Sequence, residues 1–561
     1  MKFLFINPIN MSQNIKTLFK LLLLFIPFIS TAQTTYIMQG SKEYWLLDRL
    51  EIKGRQEGLN ASYIKPANAR LMVKEVELID SLQRNKNRIA ANINDIDRYN
   101  ITSFLTAHKE FTSSNSSFNN KKTNYNLIEI NKPKFFMVLN PALQYQQSFE
   151  SFDKQSVYLA TAGVTGRGLI SKKVGFQFFV TGNQERTPFY VRQFTQKFKA
   201  IPGFSNYDVV DGNAVKYLDI RASAQWTVAK FIDMQVGYDR NFLGNGQRSL
   251  LLSDFSGNSL FFKINTRLWK FNFENLYMKL TPQFGIVNNA DAKKYLRINT
   301  LSINATKWLN IGIFDAVVFG RKNQFELNYI LPFTFLRAME QQSGSPDNAI
   351  VGLNAKANIN KQIQLYGQVV LDEFLLKEIK AQSGWWANKY GYQLGVKYID
   401  AFNVKNLDVQ LEVNRTRPFT YTHFDSVTNY SNNNMPLAHQ LGAGFQEFMG
   451  VVRYQPFKKL FLQGKILYYT QGQDTAGINF GNNILTNYRS RPMDYGWKIG
   501  SGNKATCLYL NSNASYEVRE NLFLDASVTF RNLKLASGTS QNTTIFSLGF
   551  RWNVSRREFD F

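Results

Sequence analysis

The sequence has 561 residues, a formal net charge of +25 and a single cysteine, Cys507. One cysteine excludes a disulfide scaffold and thiolate metal sites. Aromatic residues make up 15% of the sequence, yet the mean hydropathy is only −0.28. The aromatic residues are scattered, mostly at alternate positions beside polar ones, which is typical of a sheet with one face towards lipid and the other towards water.

Residues 1–32 have the features of a secretory signal peptide. Two lysines precede an apolar run from Leu21 to Ile29, and small residues follow it as far as Ala32. This run is too short to form a membrane-spanning helix. We therefore expect the protein to be exported and cleaved after Ala32. The mature chain then has a formal net charge of about +22, which favours anionic partners.

Two regions with different patterns follow the signal peptide. Residues 33–110 are predicted to form a small helical segment in the periplasm, because apolar residues such as Leu71 and Ile79 recur at helical intervals among charged ones. Asn68 is placed to cap the second helix. Residues 111–133 are predicted to be a polar linker.

From residue 134 onward the pattern is the two-residue alternation of strands. It is clearest at 546–554, and it recurs at 522–531, 460–468 and 407–413. A chain that crosses a membrane as strands satisfies its backbone only in a closed barrel. The sequence thus predicts an all-β fold, an antiparallel transmembrane β-barrel of about 16–18 strands over 134–561. A soluble, secreted β-sandwich is the alternative, but it gives no reason for an outward aromatic face.

The final strand also carries a signal for location. Residues 547–554 fit the pattern polar-x-Gly-x-x-aromatic-x-apolar, which resembles the signal read by the outer-membrane assembly machinery. Phe561 is the last residue, as is usual in that class, but seven residues follow Val554. Either Phe559 and Phe561 extend the strand, or the run itself is the signal. Both alternatives predict the cell outer membrane, with its lipid and its assembly machinery as partners.

Two polar clusters are candidate ligand-binding sites. The first combines glycines with both charge signs and contains Asp239, Arg240, Asn241, Asn245, Arg248 and Asp254. Such side chains can form charge-assisted hydrogen bonds with sugar hydroxyls or anionic groups, whereas a salt-bridge network that packs the lumen is the alternative. The second contains Asn479, Asn482, Arg489, Arg491, Asp494 and Tyr495. These types suit carbohydrate, although a solvated external loop has the same composition.

Little in the sequence favours catalysis. The three histidines, His108, His423 and His439, are far apart along the chain. Their wide separation argues against a histidine base beside a nucleophile and against a histidine metal site. We therefore expect no enzymatic activity, no cofactor and no metal, and in an exported barrel we expect no nucleic acid partner.

Three stretches carry a family resemblance: Tyr44–Gly54, Gly244–Lys263 and Gly477–Gly496. In them the sequence resembles the Wzi-type capsule-assembly family, and in particular its RemB-like gliding-motility branch. The resemblance implies a barrel of about 18 strands with a periplasmic helical segment.

The resemblance also implies a function, which is to bind or anchor surface polysaccharide or lipopolysaccharide in support of capsule assembly or gliding motility. The alternatives are a diffusion porin or transport channel for anionic or neutral solutes, and an adhesion or structural component that works with motility or surface proteins.

Overall fold

The computed structural model describes most of the chain beyond the predicted signal peptide, which lies outside the described residues. These are residues 34–84, 92–113, 125–171, 173–204, 206–283, 293–321, 326–331, 334–344, 347–425 and 427–561. Part of the predicted linker, 114–124, also lies outside them.

Eighteen antiparallel strands in this part of the chain close into a barrel. The first nine are β1 (Phe135–Glu150), β2 (Val157–Ile170), β3 (Val174–Arg186), β4 (Ala214–Ala229), β5 (Ile232–Asp239), β6 (Ser259–Leu268), β7 (Phe271–Leu280), β8 (Lys294–Asn304) and β9 (Leu309–Gly320). The others are β10 (Asn348–Ile359), β11 (Ile363–Glu373), β12 (Lys389–Tyr398), β13 (Leu407–Thr416), β14 (Phe445–Phe457), β15 (Leu460–Gln473), β16 (Asn503–Arg519), β17 (Leu522–Leu535) and β18 (Ser540–Trp552). The predicted fold class is confirmed, at the upper end of the expected strand number.

The barrel closes where β18 pairs with β1, from Ile545 opposite Glu150 to Trp552 opposite Leu143. Each strand pairs with its neighbours along the chain, so the closure is the only pairing between distant parts of the sequence in this eighteen-strand ring. Since every strand has two partners, the backbone is satisfied without an open edge in the lipid.

The alternation predicted for the last strand is confirmed. Phe546, Leu548 and Phe550 point outward and are exposed, whereas Ser547 between them is buried in the lumen. The strand ends at Trp552, so Val554 is not part of it and the extension to Phe559 and Phe561 is wrong.

The two ends of the barrel differ in the length of their connections. Two-residue turns such as 230–231 and 269–270 lie at one end, and connections of up to 29 residues, as at 474–502, lie at the other. In outer-membrane barrels the short turns face the periplasm and the long loops face the exterior. Exposed aromatic side chains mark the short-turn end as an interfacial girdle: Phe231, Trp269, Trp308, Phe402 and Phe457.

The helical segment (34–84 and 92–113) covers the short-turn end of the barrel, which is the periplasmic end in barrels of this kind. Its helices are α1 (Glu43–Gly54), α2 (Ala69–Arg84) and α3 (Asp95–Ala107), with 3₁₀ turns at Glu57–Tyr63 and Lys109–Phe111. Their apolar sides share one core. The predicted cap is confirmed, because the Asn68 side chain accepts a hydrogen bond from the Leu71 amide at 3.0 Å. No helix in the described residues has the length and apolar content needed to cross a membrane.

Other short helices and strands lie in the connections between the barrel strands and in the helical segment. Helices α4 (Phe189–Phe198), α5 (Leu336–Ser343) and α6 (Leu376–Lys380) lie in external loops, and 3₁₀ turns lie at Leu327–Tyr329, Ala401–Asn403 and Tyr488–Ser490. Short strands pair Tyr36–Ile37 with Ala67–Asn68, Ile64–Lys65 with Phe242–Leu243, and Ser431–Asn432 with Met435–Pro436. Ile128–Lys132, within the predicted linker, pairs with β1, and Asp208–Val210 pairs with β4.

Arg49 of α1 fixes the helical segment to the barrel. Its guanidinium contacts Asp97 of α3 at 2.9 Å, Asp400 of a periplasmic turn at 2.8 Å, and Asp408 at the start of β13. Lys53 bridges Asp97 and Asp400 at 2.6 and 2.7 Å. Arg49 is only 3% exposed, so loss of any one of these groups would leave an unpaired charge buried. The ion pairs therefore stabilise the contact only when all of them are present.

Three segments fold into the lumen. They are 240–258 between β5 and β6, 417–425 with 427–444 between β13 and β14, and 553–561 after β18. An apolar cluster joins the first two to the inner face of β6–β11, with Leu250, Tyr421 and other side chains at its centre. The lumen is thus largely filled.

Removing Arg49 should loosen the helical segment. Arg49→Ala leaves three carboxylates without their guanidinium, and breaking such a buried set costs about 3–5 kcal/mol. We expect protease cleavage within 34–113 at a lower urea concentration than in the wild type. Arg98→Ala removes an exposed pair with Asp95 and should have little effect. Equal cleavage profiles for the two variants would contradict this role of Arg49.

The same contact should weaken only in strong acid. Burial opposes ionisation of Asp400, but Arg49 and Lys53 outweigh it and lower the pKa of this carboxyl to about 2. Its contribution is therefore complete above about pH 4, the ordinary carboxyl range, and is lost as the pH falls through about 2. Protease resistance of 34–113 in Asp400→Asn should be lower at pH 7 and should fall less on acidification. An identical acid response in wild type and variant would argue against it.

Candidate functional site

A vestibule opens at the extracellular end of the barrel. It has a volume of about 580 Å³ and lies between α4, the loop 474–502 and the outer ends of β15 and β17. Its floor is formed by the ring of Phe561, which is 5.1 Å from Phe194 of α4. The vestibule is therefore accessible from outside and closed towards the lumen.

The vestibule combines aromatic rings with amide side chains. The rings are those of Phe152, Phe189, Phe194, Phe198, Tyr469 and Phe561. Amide groups come from Gln193, Asn434, Gln440, Gln471, Gln473, Asn482, Asn483 and Gln541. Aromatic faces stack on sugar rings, and amides both donate to and accept from sugar hydroxyls. A lining of this composition can bind carbohydrate.

The charged side chains that line the vestibule are basic. Lys197 and Arg531 contribute to the lining, and none of the described residues that line it is Asp or Glu. Arg531 donates from Nε to the backbone oxygen of Phe561 at 2.8 Å, and its guanidinium lies 4.5 Å from the ring centre of Tyr190. The vestibule therefore favours a neutral or anionic ligand over a cationic one.

Asn482 is the predicted site residue that lies in the vestibule. Its side chain is 7% exposed, and its Oδ1 has no hydrogen-bond partner among the described residues. A buried acceptor of this kind is costly unless something donates to it. Because this oxygen is itself buried, a ligand hydroxyl reaches it only when the Asn482 side chain turns towards the vestibule.

Four other predicted residues lie on the outer loop, near an aromatic cluster. The guanidinium of Arg491 is 3.9 Å from the ring centre of Trp386 and pairs with Asp494 at 2.6 Å. Arg489 lies over the ring of Phe424, and Tyr495 is exposed. These residues face the exterior, but outside the vestibule.

Asn479 organises the same loop. Its amide nitrogen donates to the Asn487 backbone oxygen at 3.0 Å, and its side-chain oxygen accepts from the Gly481 amide at 2.8 Å. These contacts hold the neighbouring Asn482 at the vestibule wall.

The first predicted cluster lies inside the lumen and is split between two places. Asp239, Arg240 and Asp254 border internal cavities on the side of β3 and β4, where the Arg240 guanidinium stacks on Phe204. Asn241 accepts from Lys263 at 3.0 Å, and Asn245 contacts Asn354 at 3.5 Å. The protein partners of Asn241 and Asn245 favour the packing alternative for those two residues.

Arg248 belongs to a lumen hub, which we define as Arg248, Glu447, Lys465 and Asp560. Arg248 contacts the Asp560 carboxylate at 3.0 Å and Glu447 at 3.5 Å, and Lys465 contacts Asp560 at 2.7 Å. Glu447 also accepts from His439 at 2.9 Å. Burial would raise the pKa of the Asp560 carboxyl, but Arg248 and Lys465 hold it well below its ordinary value.

Most of the vestibule was not predictable from the sequence. Phe152 and α4 lie more than about 260 residues before β15, whereas Phe561 follows it by 88 residues, and all three meet β15 only when the barrel closes. A local signal did exist in the sequence Phe189–Phe198, where aromatic residues alternate with Arg, Gln and Lys inside a loop of a strand-rich chain.

Comparison with solved structures supports the fold. Wzi from Escherichia coli, an outer-membrane, carbohydrate-binding β-barrel involved in group 1 capsule assembly, is 12% identical, with a TM-score of 0.56. The match covers 94% of this chain and 100% of that chain. OprD from Pseudomonas aeruginosa is 11% identical, with a TM-score of 0.41 over 74% of this chain and 94% of that one.

No curated protein sequence matches this chain. The family model of the capsule assembly protein Wzi matches residues 107–541, which include nearly the whole barrel. The closed barrel and this match place the protein in the outer membrane. The chain therefore belongs to the Wzi capsule assembly family.

Proposed function

We propose that the protein binds surface polysaccharide in the extracellular vestibule and so supports capsule assembly. The observation that carries this proposal is the external cavity of about 580 Å³, lined by aromatic rings and amides and closed below by Phe561. A cavity of this size holds a few sugar units, since binding pockets of about 300–1,000 Å³ enclose drug-sized ligands. The solved Wzi is itself a carbohydrate-binding barrel, which supports the proposal.

Acidic polysaccharide is the proposed ligand class. Lys197 and Arg531 line the vestibule without a carboxylate among its described lining residues, and the whole chain carries +25. Uronate carboxylates and lipopolysaccharide phosphates present the same anionic groups to such a surface. Arg489 adds a basic side chain on the outer loop, where a longer polymer could meet it, whereas Arg491 is paired with Asp494.

A binding role also suits the positions of the histidines better than a catalytic one. His108 is 3.0 Å from Glu43, His423 contacts Thr428, and His439 lies in the lumen beside Glu447. These partners are structural contacts away from the vestibule. The narrower expectation of a gliding-motility role stays a prediction of the sequence resemblance.

The diffusion porin remains the competing function. A porin requires an open, water-filled lumen, whereas three segments fill this lumen and the helical segment covers its periplasmic end. A deletion strain that keeps its surface polysaccharide but takes up solutes more slowly would favour the porin over our proposal.

Removing one ring and one charge from the vestibule should weaken polysaccharide binding. Phe152→Ala/Lys197→Ala deletes a half-exposed stacking face and a cation, which together contribute about 1–2 kcal/mol and thus about a tenfold change in Kd. We expect this change in calorimetry with the solubilised protein and fragments of the cell's own polysaccharide. Capsule retention on cells should fall in parallel.

A matched control is available at the opposite end of the barrel. Phe402→Ala/Lys405→Ala also removes an exposed phenylalanine and an exposed lysine, but from a periplasmic turn. Barrel assembly of both variants is checked by heat-modifiable gel mobility. Equal affinity in the vestibule variant, the control and the wild type would refute the proposed site.

A further inference from the structure

The inner segment (553–561) separates a row of cavities that runs along the lumen. Asn553 to Ser555 line a cavity of about 170 Å³ near the helical segment, and Val554 to Arg557 line the next, of about 160 Å³. Arg556 to Phe559 line a third, of about 80 Å³, and Phe561 forms the vestibule floor. One stretch of nine residues thus borders four cavities between the periplasmic end and the exterior.

Side chains, and not backbone pairing, hold the inner segment in place. In the described part of the chain, residues 554–561 form no backbone–backbone hydrogen bond. Their carbonyl oxygens accept instead from Tyr190 at 2.6 Å, from Gln440 at 2.8 Å and from Arg531 at 2.8 Å. A segment without such pairing can leave without breaking a sheet, which keeps its displacement local.

Ion pairs also fix the inner segment to the barrel wall. Asp560 lies between Arg248 and Lys465 of the hub, and Arg557 contacts Glu185 of β3 at 2.9 Å. The backbone reverses direction at Asn553, whose φ is +55°, and this turn points the segment back into the barrel.

The wall behind the inner segment is rich in polar side chains. The cavities it borders are lined by Gln144, Thr161, Asn183, Asn511, Asn513 and Ser547. The side-chain oxygens of Asn511 and Asn513 have no hydrogen-bond partner among the described residues. Water can hydrate such a wall at little cost, whereas the apolar cluster around Leu250 and Tyr421 would resist hydration.

We propose that the inner segment is the seal of a latent, water-filled passage through this polar half of the barrel. Its displacement joins the four cavities into one route for small hydrated ions between the periplasm and the vestibule. The route is lined by both polar and apolar side chains, and its charged residues include Arg221, Arg240 and Arg557 beside Asp219 and Asp254. This passage is independent of what the vestibule binds.

Conductance of single barrels in planar lipid bilayers tests the seal. Arg557→Ala/Asp560→Ala removes the pairs with Glu185, Arg248 and Lys465, and we expect open time to rise at least about tenfold over the wild type. The matched control is Arg321→Ala/Asp347→Ala, which removes a pair of 2.8 Å in the connection between β9 and β10. The control should conduct as the wild type does.

A thiol behind the seal gives an independent readout. In a Cys507→Ser background, Ser547→Cys places a thiol on the buried wall of the third cavity. A water-soluble maleimide should label it about tenfold faster in the release variant, Arg557→Ala/Asp560→Ala, than in the control. If the assembled release variant gains neither conductance nor labelling, the proposal is overturned. Should the double variant not assemble, Asp560→Ala alone is measured by the same criteria.

Discussion

The filled barrel depends on the pairing of buried charges in the lumen hub. Arg248 from one inserted segment and Asp560 from another meet Glu447 and Lys465 of the wall, with contacts of 2.7 to 3.5 Å. A charge removed from water is tolerated only when its partners are complete. Each of the two inserted segments therefore supplies a charge that neutralises a buried charge of the hub. We infer that the four side chains of the hub come together as a unit. His439 of the third inserted segment joins it through Glu447.

The hub also explains why the vestibule has a floor. Asp560 is fixed beside Arg248, and the next residue, Phe561, is thereby held under α4. A sugar chain that enters from outside meets aromatic rings and amides, and it does not continue into the lumen while the inner segment stays in place. In the proposed function, a site that is open on one side would retain polysaccharide at the cell surface. The basic side chains of the vestibule would then favour acidic polymers.

Features that depend on neighbouring residues, such as strand alternation, were predictable from the sequence. Contacts between residues far apart in the chain were not. Alternation in β18 follows from the contact of each side chain with lipid or lumen, so the strand was predictable from its own residues. The pairing of Arg248 with Asp560 spans 312 residues and leaves no local pattern. Phe561 was expected near the membrane by analogy with other barrels, but β18 ends at Trp552 and the left-handed turn at Asn553 directs Phe561 inward. Of the predicted site residues, Asn482 lies in the vestibule.

Binding in the vestibule is best tested by a crystal structure with a bound oligosaccharide from the cell's own surface polymer. We expect density for sugar rings in the vestibule, against Phe152 or Phe194 and within hydrogen-bond distance of the Asn482 side chain, with Phe561 still beneath the ligand. Sugar density in the internal cavities beside Arg240, with the vestibule empty, would contradict binding in the vestibule.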